Sequence, residues 1–293
     1  MKLSNILTIA VALCVTTFAM AQESAELLST GYVFTEGPVW CEDSNILLFS
    51  DIRGDAIHQW SAEAGASLFH SPSQFTNGNT YDGENFYICR YTTRDIAKMD
   101  KSGNAISIVD NFEGKRFNSP NDIIVSKLGS LYFVDPEFGL KDKTQKEIPF
   151  HGLYHIARDS NKAEAVDSTL LKPNGVALSP DQRILYLCET QDNILYTYQL
   201  DENGAASNRE LFCNVSGEGS LDGLACHGSG YLFVALGKGG IAVISPEGVE
   251  VDRITFSHGE STRNCCFDGE DNMYITAGKS LYKYVYDFSR IGL

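Results

Sequence analysis

The chain has 293 residues, 43% of them hydrophobic and 21% charged, with 38 acidic side chains against 23 Lys and Arg and a formal net charge of -15. This globular composition rules out collagen-like and low-complexity disordered classes, and the length suits one large domain or two small ones. An acidic balance without a Lys/Arg cluster excludes nucleic acid and anionic membrane surfaces as partners.

Residues 1–21 read as a signal peptide. Lys2 gives the positive end, Ile6 to Val15 the apolar run, and Ala19-Met20-Ala21 the small-residue cleavage pattern. The run is short for a bilayer span, and Leu13 before Cys14 does not fit a lipoprotein signal. The expected mature chain starts at Gln22 and is periplasmic or secreted. It carries seven cysteines: Cys41, Cys89, Cys188, Cys213, Cys226, Cys265 and Cys266. Seven cannot all pair within one chain. Cys89, Cys188 and Cys226 lie in apolar strand patterns, where Cys acts as a small hydrophobe. No C-x-x-C spacing points to a zinc ribbon or redox pair.

Residues 22–293 read as a single domain built from a repeat. Six apolar runs recur in order: NILLFSD, NFYICRY, GSLYFVD, RILYLCE, GYLFVAL and NMYITAG. After each comes a polar turn and an alternating strand, from DAIHQWSAEAG in the first unit to KSLYKYVYD in the last. Short inner strands such as GPVW, NDIIVS, NGVALS and DGLACH precede them. Short strands bounded by Gly, Asp, Asn and Ser, with no sustained helical period, give an all-β class. A spacing of roughly 40–50 residues is the period of a propeller blade. The sequence therefore predicts a six-bladed β-propeller. Its sixth unit ends after three strands at Tyr286, so an N-terminal strand from AELLSTGYVF is expected to close the ring and remove the open edge. The third unit carries an insertion, LKDKTQKEIPF, that belongs on a rim.

In a propeller the innermost strands line a central channel and their starts share one end of it. The pairs that head them are Glu36-Gly37, Asn77-Gly78, Asn121-Asp122, Asn174-Gly175, Asp222-Gly223 and Arg263-Asn264. Glu36, Asn121, Asn174 and Asp222 are thus expected to converge as oxygen donors. Such a set suits a hard divalent cation, Ca2+ first, with Mg2+ or Mn2+ as alternatives and Zn2+ weakened by the lack of His or Cys. Any single Asn-Gly reads better as a turn. Glu36 does not, because Glu is a poor turn former, and the four positions together favour a metal site.

These heads also carry a resemblance. TEGPVW (35–40), FEGKRFNSPNDIIV (112–125), LYFVDPEFGL (131–140), IPFHGLYHI (148–156), KPNGVALSPD (172–181), LDGLA (221–225) and ITAGKSLYKY (275–284) resemble, in the same order, the gluconolactonase/regucalcin/luciferin-regenerating group of six-bladed propellers, and most closely the bacterial exported gluconolactonases. The resemblance runs over about residues 30 to 285. It implies that Glu36, Asn174 and Asp222 bind one divalent cation, that Asn121 lies beside metal and substrate, and that Asp222 is the general base. Two positions depart from the pattern: Leu221 replaces the usual Pro before the Asp-Gly pair, and Tyr91 stands where relatives often have His or Gly.

The function implied is metal-dependent hydrolysis of a sugar lactone by a monomer or weak homo-oligomer. Cation chemistry would polarise the carbonyl while Asp222 takes the proton of the attacking water. The alternatives are a non-catalytic carbohydrate-binding propeller with a structural cation, and a hydrolase of another ester or modified sugar. Further candidates sit near the rim. Arg90, Arg94 and Glu189 follow second strands and are expected at the channel mouth. Tyr91 and Phe138 are candidates for stacking on a sugar ring. His151, on the blade-three insertion, reads as a surface or substrate-orienting residue, with proton donation the alternative. Asn264 is expected near the metal, directly or through water. Asp135 reads as a strand cap, and Ser119 has no His–Asp partners in a recognised triad pattern.

Overall fold

The computed structural model describes residues 25–256, 259–269 and 271–293. The signal peptide read in residues 1–21 lies outside them. Six four-stranded sheets follow one another along the chain. Their innermost strands are Thr35–Cys41, Thr76–Tyr81, Ile123–Val125, Pro173–Leu178, Leu224–Cys226 and Thr262–Phe267. The last sheet takes its outer strand from Glu26–Thr30, which pairs antiparallel with Ser280–Val285 in the register Glu26 to Lys283 and Thr30 to Ser280. The ring therefore closes as the unit count requires. A short hairpin, Asn111–Phe112 with Lys115–Arg116, precedes the third blade and has no clear signal in the strand pattern.

The second-strand runs are apolar at consecutive positions because both faces of each blade are buried. Leu47 packs with Trp60, Tyr274 and Leu281 where the first blade meets the last. Its neighbour Leu48 packs with Ile57, Ile88 and Met99 where the first blade meets the second. Tyr132 and Phe133, and likewise Phe233 and Val234, divide in the same way between adjoining clusters. Each fully buried side chain of this size stabilises by about 1.5–3 kcal/mol. Apolar packing at every blade junction is what holds the inner strands at fixed positions around the channel. None of the seven described cysteines is in a disulfide; Cys89 and Cys188 are fully buried in these clusters, and Cys226 is half-buried against one.

A second device sets the channel end of three blades. Asp51, Asp135 and Glu189 each end a second strand, and each carboxylate accepts two backbone N–H groups from the segment entering the inner strand. Asp51 accepts from Val33 (2.9 Å) and Phe34 (2.8 Å). Asp135 accepts from Asn118 and Ser119, both at 2.7 Å. Glu189 accepts from Leu171 (2.8 Å) and Lys172 (2.6 Å). The second N–H of each pair lies two residues before Glu36, Asn121 or Asn174. Asp135 is thus the cap its sequence suggested. Glu189 is a clamp on the backbone, which corrects its expected place at the channel mouth.

Burial pushes the Asp135 carboxyl up to about 7, against the downward pull of the Asn118 and Ser119 N–H groups and of Arg94 and Lys146. A folded-state value above the unfolded one means the fold binds this proton more tightly than the unfolded chain does. The stabilisation is complete below about pH 4 and is lost as pH rises through about 7. The unfolding midpoint of the wild type is therefore expected to fall across that window relative to Asp135→Asn. A constant difference between the two proteins from pH 4 to pH 8 would show that Asp135 does not titrate there.

Candidate active site

The six head residues Glu36, Asn77, Asn121, Asn174, Asp222 and Arg263 line one cavity of about 700 Å³ at the end of the channel. Hydrogen bonds link them from blade to blade. Asn77 Nδ2 donates to Asn121 Oδ1, Asn121 Nδ2 to Asn174 Oδ1 at 2.6 Å, and Asn174 Nδ2 to Asp222 Oδ1 at 2.8 Å. Arg263 Nη1 lies 3.4 Å from Asp222 Oδ2. Tyr91 joins the chain: its hydroxyl donates to Asn121 Oδ1 and accepts from Asn77 Nδ2 at 2.7 Å.

The two carboxylates are short of positive charge. Glu36 is 5% exposed, and its hydrogen-bond donor among the described residues is the adjacent Gly37 N–H at 2.9 Å. Burial, and after it the charge of Asp222, holds the Glu36 carboxyl well above the ordinary carboxylate range. Burial pushes Asp222 up to about 6, while Arg263 and the Asn174 amide pull the other way. Two buried carboxylates facing one guanidinium are poorly compensated. The donor set fits a hard divalent cation: Glu36, Asn174 and Asp222 offer oxygens, with Asn121 beside them. An amide oxygen that already accepts one hydrogen bond keeps a second lone pair. Among the described residues no three His, Cys, Asp or Glu side chains cluster as a metal site, so a cation here rests on amide oxygens as well as two carboxylates.

The layer below the heads is tightly packed around Gly223. A Cβ at Gly223 would stand 2.0 Å from Asn264 Cγ, so glycine at that position makes room for Asn264. Burial pushes the Asp122 carboxyl up to about 7, and the Asn264 side chain pulls the other way. Asp122 accepts the backbone N–H groups of Ile123 (3.0 Å) and Val176 (3.1 Å), tying the third blade to the fourth.

Residues 34–279 match the family described as SMP-30/Gluconolactonase/LRE-like region. The chain belongs to this family. A gluconolactonase of Zymomonas mobilis is 33% identical over 287 residues, covering 88% of this chain and 80% of that one. The solved structure of a Xanthomonas campestris gluconolactonase superposes with a TM-score of 0.81 at 30% identity, covering 88% of this chain and 87% of the other. A calcium-binding regucalcin from Agrobacterium tumefaciens shares the fold, with a TM-score of 0.75 at 18% identity, over 89% of this chain and 92% of that one.

Of the residues singled out from sequence, Glu36, Asn121, Asn174, Asp222, Tyr91 and Phe138 line this cavity. Arg90 and His151 do not. Arg90 is paired with Asp95 within its own hairpin, Nε to Oδ1 at 2.9 Å with a second bond from Nη2 to Oδ2. His151 contacts Lys146 Nζ at 2.9 Å and Glu137 Oε2 at 3.3 Å, while its Nδ1 meets the Leu171 carbonyl. Arg94 is buried against the carbonyls of Arg116, Phe117 and Gln145, where it pins the blade-three insertion. Asn264 sits one layer below the heads. The Ser119 hydroxyl donates to the Pro136 carbonyl (2.8 Å) and accepts from the Gly139 N–H (2.9 Å), so it is committed to the loop. Sequence reasoning gave no role to Asn77 and Arg263, although both head an inner strand, and it passed over the rim residues Arg53, Lys141 and Lys238.

Proposed function

We propose that this chain is a lactonase that hydrolyses a sugar lactone in the channel-end cavity, with Glu36, Asn174 and Asp222 holding one divalent cation, Ca2+ by the hardness of its donors. The observation that carries the reading is the convergence of two under-compensated carboxylates with two asparagine amides in a cavity of a gluconolactonase-family propeller. When bound, the cation supplies Lewis acidity to the lactone carbonyl and its developing oxyanion.

The residues divide the remaining work. Asp222 takes a proton from water as the water oxygen bonds to the carbonyl carbon. The ring C–O bond then breaks, and the proton returns from Asp222 to the leaving alkoxide. His151, held outside the cavity by Glu137 and Lys146, has no part in that transfer. Arg263 holds Asp222 toward its ionised form. Asn77, Asn121 and Tyr91 form a linked polar wall that orients the lactone and its hydroxyls, a role that depends on their mutual hydrogen bonds. Neither Arg90 nor His151 is retained as a substrate contact. Export of the mature chain belongs to the same proposal and rests on the signal peptide alone.

The test is hydrolysis of glucono-1,5-lactone by the mature protein after chelation and again with Ca2+, Mg2+, Mn2+ or Zn2+ restored. Turnover is expected to disappear with chelator, to return best with Ca2+, and to follow a metal-dependent rise in melting temperature. Undiminished hydrolysis by the metal-free protein would refute the cation's role. Binding of metal without hydrolysis of any lactone would favour a carbohydrate-binding propeller.

A further inference from the structure

We propose that the cavity takes a lactone bearing an anionic tail, so that the lactone carbonyl lies at the floor and the negative group reaches a positively charged rim. The proposal rests on the lactonase reading above and specifies its substrate class.

Three cations stand at the rim of a chain whose net charge is -15. Arg53, Lys141 and Lys238 all line the cavity and are exposed. They come from equivalent places, the turns between second and third strands of the first, third and fifth blades. Alternate blades around a ring of six place them about the mouth and not on one side of it. Among the described residues, none of the three forms an ion pair with a carboxylate, whereas Lys143 and Lys146, on the same insertion as Lys141, both pair with Glu137.

Two of the three pack on rings that themselves line the cavity. The Arg53 guanidinium lies 5.1 Å from the centroid of Phe34, and the Lys141 ammonium 5.3 Å from that of Phe75. Such cation–π contacts hold the charges at the mouth without cancelling them. Arg263, 4.7 Å over the same Phe34 ring, extends positive charge from rim to floor, and its Nε is buried without a hydrogen-bond partner. Besides Glu36 and Asp222 at the floor, the acidic residue lining the cavity among the described residues is Glu218. Three cations against one carboxylate leave the mouth positive, and a divalent cation at Glu36 and Asp222 would make the floor positive too. A neutral sugar lactone makes no use of that field, whereas an anionic one is drawn in by it and oriented tail outward.

The test uses lactones that differ only in the tail: D-glucaro-1,4-lactone, with a free carboxylate, against D-glucono-1,4-lactone. 6-Phosphoglucono-1,5-lactone against glucono-1,5-lactone forms a second arm that separates a phosphate tail from a carboxylate. With the Ca2+-loaded mature protein at low ionic strength, kcat/KM is expected to favour an anionic member by on the order of tenfold. That preference should shrink toward parity in roughly 0.5 M NaCl. An Arg53→Gln/Lys141→Gln/Lys238→Gln variant should lose on the order of tenfold more kcat/KM for the anionic lactone than for the neutral one. Equal kcat/KM within both pairs, or equal losses in the variant, would overturn the proposal while leaving the lactonase reading in place. Calorimetric binding of D-glucarate and D-gluconate gives a readout independent of turnover. Tighter glucarate binding that the triple variant loses supports the charged rim even if no lactone is hydrolysed, and equal binding by the wild type refutes it.

Discussion

Asp222→Asn is expected to lower kcat for glucono-1,5-lactone by on the order of 10³- to 10⁴-fold while the propeller stays folded. The substitution keeps the shape of the side chain and an oxygen for the Asn174 amide, which now bonds Asp222 Oδ1 at 2.8 Å. It removes the proton acceptor and one of the two carboxylates of the cation site. The fold does not depend on that charge. Glu36 and Asp222 repel one another inside the channel, each raising the energy of the other's ionised form, and Arg263, 3.4 Å from Asp222 Oδ2, is one counter-charge shared by two carboxylates. The melting temperature of the metal-free variant should therefore equal or exceed that of the metal-free wild type, and the rise on adding Ca2+ should be lost. These opposite signs, activity down and metal-free stability unchanged or up, separate a catalytic role from a structural one. A variant that keeps activity within tenfold of the wild type would remove Asp222 from the mechanism.

The second large effect is on stability. Asp135→Ala leaves the N–H groups of Asn118 and Ser119 without acceptors in a part of the chain where Asp135, Asn118 and Ser119 are all fully buried. Each orphaned buried donor costs about 1–3 kcal/mol, so a loss of about 4 kcal/mol is expected, read as a lower urea midpoint. The clamp also sets the backbone two residues before Asn121, whose amide bridges Asn77 and Tyr91 to Asn174. The variant should therefore raise KM for lactone even at temperatures where it remains folded. A loss below about 1 kcal/mol would mean that water replaces the carboxylate, and an unchanged KM would mean that Asn121 is positioned by its side-chain contacts alone.

The sequence carried the fold because a blade buried on both faces leaves a strong signal. Consecutive apolar residues such as Leu47 and Leu48, or Tyr132 and Phe133, have no alternative use in an acidic chain with no helical period. The heads were legible for a related reason: Glu36 before Gly-Pro has no turn chemistry to explain it, and four oxygen-bearing residues at equivalent positions point one way. What was lost lies in side-chain direction at strand ends. Arg90 and Glu189 both follow a second strand, yet Arg90 turns to Asp95 within its hairpin and Glu189 turns to the backbone of residues 171 and 172. Nothing local tells these outcomes from a side chain aimed at the channel. His151 is drawn off by Glu137 and Lys146, partners brought to it by the folding of an insertion with no periodicity. Asn264 was misread by one position: Arg263 is the true head, and the next residue falls in the layer beneath. The rim cations stand on turns, where charge alone gives no hint of what they face.

The closing strand has a consequence for how the molecule is made. Thr30 and Ser280 share a hydrogen bond of 2.9 Å across 250 residues of chain. The sixth blade cannot be completed until the strand Ser280–Val285 is available to pair with Glu26–Thr30. Contacts of such sequence separation make folding slow. A ring committed only by the pairing of its first described strand with its last becomes resistant to unravelling once that pairing forms.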